Sequence, residues 1–222
     1  MIAIAIDGPS GAGKSTIARA CAKKLGFIYV DTGALYRSIG LYALRQNVDT
    51  ADADAVTALL PAITVDLGYR GDEQRVYLNG EDVSEEIRRP PVSMAASNVS
   101  AHPPVRAFLL DLQLDMAKRL NVIMDGRDIG TVVLPDATVK IFLTASPEAR
   151  AKRRYDELIG RGETVDYDAL LEEIIQRDYN DSHRERAPLR QADDAVLVDT
   201  TEIGLDDSIH AGESVIRKNA NV

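Results

Sequence analysis

Residues 8 to 16 read Gly-Pro-Ser-Gly-Ala-Gly-Lys-Ser-Thr, directly after an apolar run, Ile2-Ala3-Ile4-Ala5-Ile6. Gly8, four residues and Gly13-Lys14-Ser15 complete the spacing of a Walker A phosphate-binding loop. Each part has a physical task. Gly8, Gly11 and Gly13 let the main chain wrap closely and turn several N–H groups inward as an anion nest. Lys14 can reach terminal phosphates, and the Ser15 hydroxyl can ligate magnesium. Thr16 to Leu25 reads as a helix whose positive end faces the same anion. The alternative is a Gly-rich turn with a stray Lys-Ser pair. The buried-strand signal before the loop and the helix after it favour nucleoside triphosphate binding.

Further short apolar runs read as buried strands: Phe27 to Val30, Val122 to Met124, Val139 to Leu143 and Ala195 to Val198. Helical patterns separate them. Val105, Phe108, Leu109, Leu112 and Met116 recur at helical spacing. Ser146-Pro147 is an N-cap and first-turn pair for a helix reaching about Ile159. Strands alternating with helices predict an α/β chain with a doubly wound parallel sheet. Ligands of such sheets sit beyond the carboxyl ends of the strands. Gly8–Thr16, Asp31–Arg37 and Asp125–Asp128 all fall there. One stretch breaks the alternation: Ile63-Val65-Leu67 and Val76-Leu78, with Gly71-Asp72-Glu73 between them and a turn at Asn79-Gly80, predict a small antiparallel insert over about 62–88. Pro90-Pro91 closes it.

The chain's 222 residues suffice for one large domain or a core with inserts. A net charge of −9 argues against a nucleic-acid backbone as partner. No run approaches the ~20 apolar residues of a membrane span. The lone Cys21 has no disulfide mate and reads as a small core residue. With a first strand that starts at once, this leads us to expect a cytoplasmic protein without membrane attachment.

Guanine-reading Asn-Lys-x-Asp and switch Asp-x-x-Gly motifs are both missing, which disfavours a GTPase switch. Three constellations bear on what receives the phosphoryl group. Asp31-Thr32-Gly33-Ala34-Leu35-Tyr36-Arg37 is a strand end entering a helix, with Thr32 at the helix start and Arg37 about a turn on; an ordinary cap with a surface Arg is the alternative. In Met124-Asp125-Gly126-Arg127-Asp128, Asp125 ends a strand as a magnesium-holding acid does, while Arg127 and Asp128 are presented by the turn. A self-satisfied salt-bridge turn is the other reading. Third, on a helix from about Tyr167 through Arg184, Arg177, Asp181 and Arg184 share one edge of a buried stripe of Leu170, Leu171, Ile174 and Ile175. A plain surface ion pair explains that row equally well. Upstream, Arg150, Lys152, Arg153, Arg154 and Arg161 cluster around Gly160-Arg161-Gly162. For most of them a solvated helix face is expected, though a mobile basic lid would neutralise phosphates and expel water. His102, His183 and His210 are scattered and receive no chemistry.

Taken together, IDGPSGAGKST, DTGALYR, the LNGEDVS insert, MDGRDIGTVV, KIFLTAS and RDYNDSHRERAPL resemble the bacterial cytidylate kinases, P-loop nucleoside monophosphate kinases that phosphorylate CMP and dCMP. The likeness runs from Ile2 to about Thr200. It implies a P-loop kinase fold with a five-stranded parallel sheet, helices on both faces and a small antiparallel β insert in the acceptor region. The implied organisation is a core of 1–34, 104–148 and 188–222, an acceptor-binding region of about 35–103 and a lid of about 149–187. ATP would lie on Gly8, Pro9, Ser10, Gly11, Ala12, Gly13, Lys14, Ser15 and Thr16, with Arg153. Thr32, Arg37 and Arg127 would hold the CMP phosphate, and Ser97, Arg106 and Asp128 the cytosine edge. Asp181 and Arg184 would contact the ribose. Arg177, with Lys14 and Arg127, would act on the transferring group, and Ser15 with Asp125 would hold Mg2+. A carboxylate accepting from the exocyclic amine favours cytosine over uracil. A monomer is expected, and the tail beyond Thr200 reads as a plain surface helix.

Overall fold

A computed structural model of the chain describes residues 1–70 and 73–220. The first half runs β1 (Ala3–Asp7), α1 (Lys14–Leu25), β2 (Ile28–Asp31), α2 (Thr32–Arg45) and α3 (Ala53–Leu59), then β3 (Val65–Arg70), β4 (Glu73–Leu78) and β5 (Glu81–Asp82). Next come α4 (Pro90–Ser100), α5 (Pro103–Arg119), β6 (Val122–Gly126) and a single wide helical turn at Ile129–Val133. The chain finishes with β7 (Val139–Thr144), α6 (Pro147–Gly160), α7 (Tyr167–His183), β8 (Val196–Asp199) and α8 (Leu205–Ala220). Packing divides it into two compact units, Met1–Val30 with Arg119–Val222, and Asp31–Lys118.

The first unit is built on the predicted parallel sheet, in the order β2-β6-β1-β7-β8. Its central strands are continuous apolar runs because both faces are covered: Ile4, Ala5, Ile6, Ile123 and Met124 are all fully buried. On one face Ile4, Ile6, Ile123, Ile141 and Leu143 pack with Ile17, Ala18 and Cys21 of α1 and Ile216 of α8. Registers of Asp7 with Gly126 and of Thr144 with Asp199 bring these strand ends level, so the loops that follow share one edge of the sheet.

Three readings of this unit need correcting. β8, expected as a buried strand, is an edge strand in which only Val198 is buried. The tail helix α8 is a core element rather than a surface one: Ser208, Gly212 and Ile216, four residues apart, are buried. That stripe escapes notice because two of its three members are small rather than apolar. The supposed buried stripe of α7 is only half-buried, and Ile175 is exposed. α7 packs against α6 along one side, so its apolar residues are shared with solvent.

The second unit packs α2 and α4 together over the antiparallel sheet β3-β4-β5. Leu35, Ile39, Val65, Val76, Leu78 and Val99 form its core, and Val105 and Leu109 bind α5 into it. The hairpin between β4 and β5 turns on Asn79 and Gly80, both at positive φ (51° and 82°), as a two-residue hairpin turn requires. The expected turn at Gly71-Asp72 lies outside the described residues. Pro90-Pro91 does more than end the insert: both open α4, where a missing N–H costs nothing. Sequence pattern announces neither α3 nor α4. Among the described residues no helix is long and apolar enough to cross a membrane.

Candidate active site

The loop Gly8–Thr16 leaves β1 and enters α1. Gly8, Gly11 and Gly13 all have positive φ, 148°, 76° and 91°. At Gly8 no side chain is tolerable, because a Cβ would fall 1.8 Å from the Leu143 carbonyl oxygen. α1 begins with Gly13 at its N-cap, no side-chain cap and no acid in its first turn, which leaves its leading amides to an anion. The Lys14 ammonium is buried and donates to the Pro9 carbonyl at 2.7 Å. Burial and the neighbouring Arg127 charge pull Lys14 down to about 7, against the carboxylates of Asp125, Asp181 and Asp7.

Asp125, on β6, accepts from the Ser15 hydroxyl at 2.7 Å and from the Tyr29 hydroxyl at 3.0 Å. Serine hydroxyl and carboxylate are both hard oxygen donors, so the pair suits magnesium. No cluster of three or more His, Cys, Asp or Glu poised for a metal occurs among the described residues.

Beyond β6, the Arg127 guanidinium donates through Nε to Asp181 at 2.7 Å. Burial works against the Asp181 charge, but Arg127, Arg177 and Arg184 outweigh it and hold the carboxyl below its ordinary range. Arg184, one residue past the end of α7, donates to Asp128 at 3.5 Å and to the Ala187 carbonyl at 2.6 Å. The expected residues Arg127, Asp128, Arg177, Asp181 and Arg184 thus act on one another directly. Asp181 is mostly buried and bonds Arg127 of another segment, so the row is more than an isolated pair on one helix.

α6 separates its basic residues sharply. Lys152 and Arg154 pair locally with Asp156 and Glu157 at the exposed surface. Arg150, by contrast, is only 2% exposed. It donates to the Ala145 carbonyl at 2.9 Å, to the Ser10 carbonyl of the phosphate loop at 3.0 Å, and to both oxygens of Asp178 on α7. Arg153 donates to the hydroxyl and carbonyl of Thr200, and that hydroxyl reaches back to the Ala12 carbonyl of the loop at 3.4 Å.

In the second unit, Asp31 caps α2 by accepting from the Ala34 amide at 2.9 Å and pairs with Arg37 at 2.8 Å. The Nε of Arg37 is buried without a hydrogen-bond partner, a donor left over for an acceptor. Thr32 is buried at the first position of α2. Arg106 donates to the Ser100 carbonyl at 3.3 Å and lies 5.8 Å over the Tyr36 ring, while Ser97 sits half-buried on α4.

Four residues that matter here do not stand out in the sequence: Asp7, Tyr29, Asp178 and Thr200. Arg150 stands out only as one of a basic group whose expected place is a solvated face. Their partners lie far along the chain, so no local pattern announces them. Only Asp7, a buried strand's terminal acid immediately before Gly8, carries a usable signal.

A match to the family described as "Cytidylate kinase" covers residues 4–218. The chain is 53% identical over 206 residues to the cytidylate kinase of Caldicellulosiruptor saccharolyticus, covering 93% of this chain and 91% of that one. It is 50% identical over 218 residues to the cytidylate kinase of Caldanaerobacter subterraneus, covering 98% and 96%. Among solved structures, a gluconokinase from Sinorhizobium meliloti superposes with a TM-score of 0.50 at 14% identity, covering 99% of this chain and 94% of that one. An uncharacterized protein from Eubacterium ventriosum gives 0.52 at 12%, covering all of both. These two likenesses speak to the fold alone.

Proposed function

Because the chain belongs to the cytidylate kinase family, we propose that it transfers the terminal phosphoryl group of ATP to CMP and dCMP, yielding ADP and CDP or dCDP. The observation that carries this reading is the cluster at the ends of β1 and β6: the phosphate loop with its buried Lys14, the Ser15–Asp125 bond and the Arg127–Asp181 pair.

Gly8 to Thr16 receive the triphosphate, through main-chain N–H groups at every position but Pro9, and Arg153 assists from α6. Mg2+, when bound by Ser15 and Asp125, neutralises charge on the phosphate oxygens. Arg127, Thr32 and Arg37 hold the acceptor phosphate, and Arg177 stabilises charge on the group in transfer. Asp128, Ser97 and Arg106 read cytosine, while Asp181 and Arg184 hold the ribose. Catalysis of this kind is positioning and electrostatics, since an ionised phosphate oxygen needs no general base. Burial lowers Lys14, and the negative charge of an arriving polyanion favours its ammonium form. We further assign acceptor binding to about 35–103 and a closing lid to about 149–187, in a monomeric cytoplasmic enzyme.

A coupled ADP-release assay across CMP, dCMP, UMP and AMP tests the proposal. Turnover with CMP and dCMP far above the others is expected. Preference for UMP or AMP would remove Asp128, Ser97 and Arg106 from base recognition, and ATP binding with no acceptor-stimulated ADP release would refute transfer itself.

A further inference from the structure

Asp7 is the last residue of β1, 4% exposed, and the reaction outlined above gives it no task. Its two carboxylate oxygens each take one main-chain amide: Oδ1 accepts from Ile129 at 2.7 Å and Oδ2 from Gly130 at 2.7 Å. Those amides open the wide helical turn Ile129–Val133, and the first N–H groups of any helical turn lack partners within it. Asp128 stands at the N-cap of this turn, where an Asp ordinarily accepts such amides itself. Here its side chain makes no capping bond. Instead it meets Arg184, and Asp7 caps the turn from the neighbouring strand.

We propose that Asp7 is a positioning residue: by capping the turn after Asp128, it frees the Asp128 carboxylate to face the acceptor base. This rests on the reading that Arg127 and Asp128 contact the acceptor nucleotide. A carboxylate suits the task because it offers two acceptors to two consecutive donors, whereas an amide offers one and turns its NH2 against the other. Burial pushes the Asp7 carboxyl up to about 6, while the two amides and Lys14 pull it down, so it stays mostly ionised at neutral pH.

The test compares Asp7→Asn with Asp128→Asn in the full chain, measuring KM for CMP, KM for ATP, the CMP-to-UMP ratio of kcat/KM, and melting temperature. Loss of one buried charge-assisted bond should raise KM for CMP by about 10- to 100-fold in Asp7→Asn. KM for ATP should stay within about twofold, and the CMP-to-UMP ratio should fall towards that of Asp128→Asn. Equal changes in both KM values, or none, would overturn the inference by making Asp7 a structural residue of the phosphate loop. If Asp128→Asn keeps full CMP preference, base reading by Asp128 fails. If Asp128→Asn loses that preference while Asp7→Asn keeps it, only the positioning role fails. Should Asp7→Asn not fold, Gly130→Ala decides: its Cβ would sit 3.3 Å from Asp7 Oδ2 and 3.1 Å from Lys140 Cδ, crowding the same contact. The same rise in KM for CMP alone supports the role, and unchanged CMP kinetics sinks it.

Discussion

The phosphate loop and the segment after β6 stand at the ends of neighbouring strands, yet different forces hold them. The loop is shaped by main chain: three glycines at positive φ, an uncapped helix start and a lysine bonded to its own loop's carbonyl. The segment Arg127–Asp128 is shaped by side-chain pairs, Arg127 with Asp181 and Arg184 with Asp128. Main-chain dipoles accept any phosphate in reach, because every residue supplies the same N–H. Paired charges discriminate, because a ligand must offer better partners than those already in place. If Asp128 reads the acceptor base as proposed, this contrast makes the protein tolerant toward a phosphate chain and exacting toward a base.

Arg150 joins the two regimes, since it binds the loop's Ser10 carbonyl and the α7 carboxylate Asp178. Arg150→Ala should therefore break the contrast most severely, leaving Asp178 and two carbonyls without their donor. We expect a loss of about 3–5 kcal/mol in urea unfolding. A loss under about 1 kcal/mol would show that the loop holds its shape unaided. Next in size, Lys14→Ala should lower kcat by about 100- to 1,000-fold while the melting curve is kept. Retained turnover would remove Lys14 from the chemistry.

Asp7 adds a pH signature. Its folded carboxyl lies at about 6, against an ordinary value of 3.8. The native protein therefore binds the extra proton, and the stability that neutral Asp7 contributes is present below about pH 4 and lost as pH rises through about 6. Relative to Asp7→Asn, wild-type unfolding free energy should fall by about 2–3 kcal/mol between about pH 4 and about pH 7. A rise over that range would reverse the assignment. Asp128→Asn sharpens the side-chain half of the comparison: the CMP-to-UMP ratio should drop about tenfold, with ATP kinetics unaltered. Smallest of all, Lys152→Ala on the exposed face of α6 should change stability by less than about 0.5 kcal/mol, against the large effect at Arg150 two residues away.

Much of the fold is legible in the sequence for local reasons. An eight-residue spacing announces the phosphate loop, and the Asn79-Gly80 turn announces a hairpin, because both depend on backbone conformations that few residues adopt. The row Arg177, Asp181 and Arg184 is visible as helical spacing, though spacing does not distinguish a working cluster from a surface pair. Arg150 and Lys152 look alike along the chain; one is buried and the other solvated because of what α7 and the loop bring to them. α8 misleads for the opposite reason, since its buried stripe uses small residues that carry no hydrophobic signal.

Local chemistry within a few residues, namely glycine where φ must be positive, apolar runs where both sheet faces are covered and capping residues at helix starts, was enough to identify the parallel sheet and its phosphate loop. Partnerships over long separations were beyond it: Asp7 with the amides 122 and 123 residues on, Arg150 with the Ser10 carbonyl 140 residues back, and Ser15 with Asp125 across 110. Those contacts exist because parallel strands must be adjacent in the sheet while remaining distant in the chain, so burial and charge pairing at their ends are properties of the assembled fold.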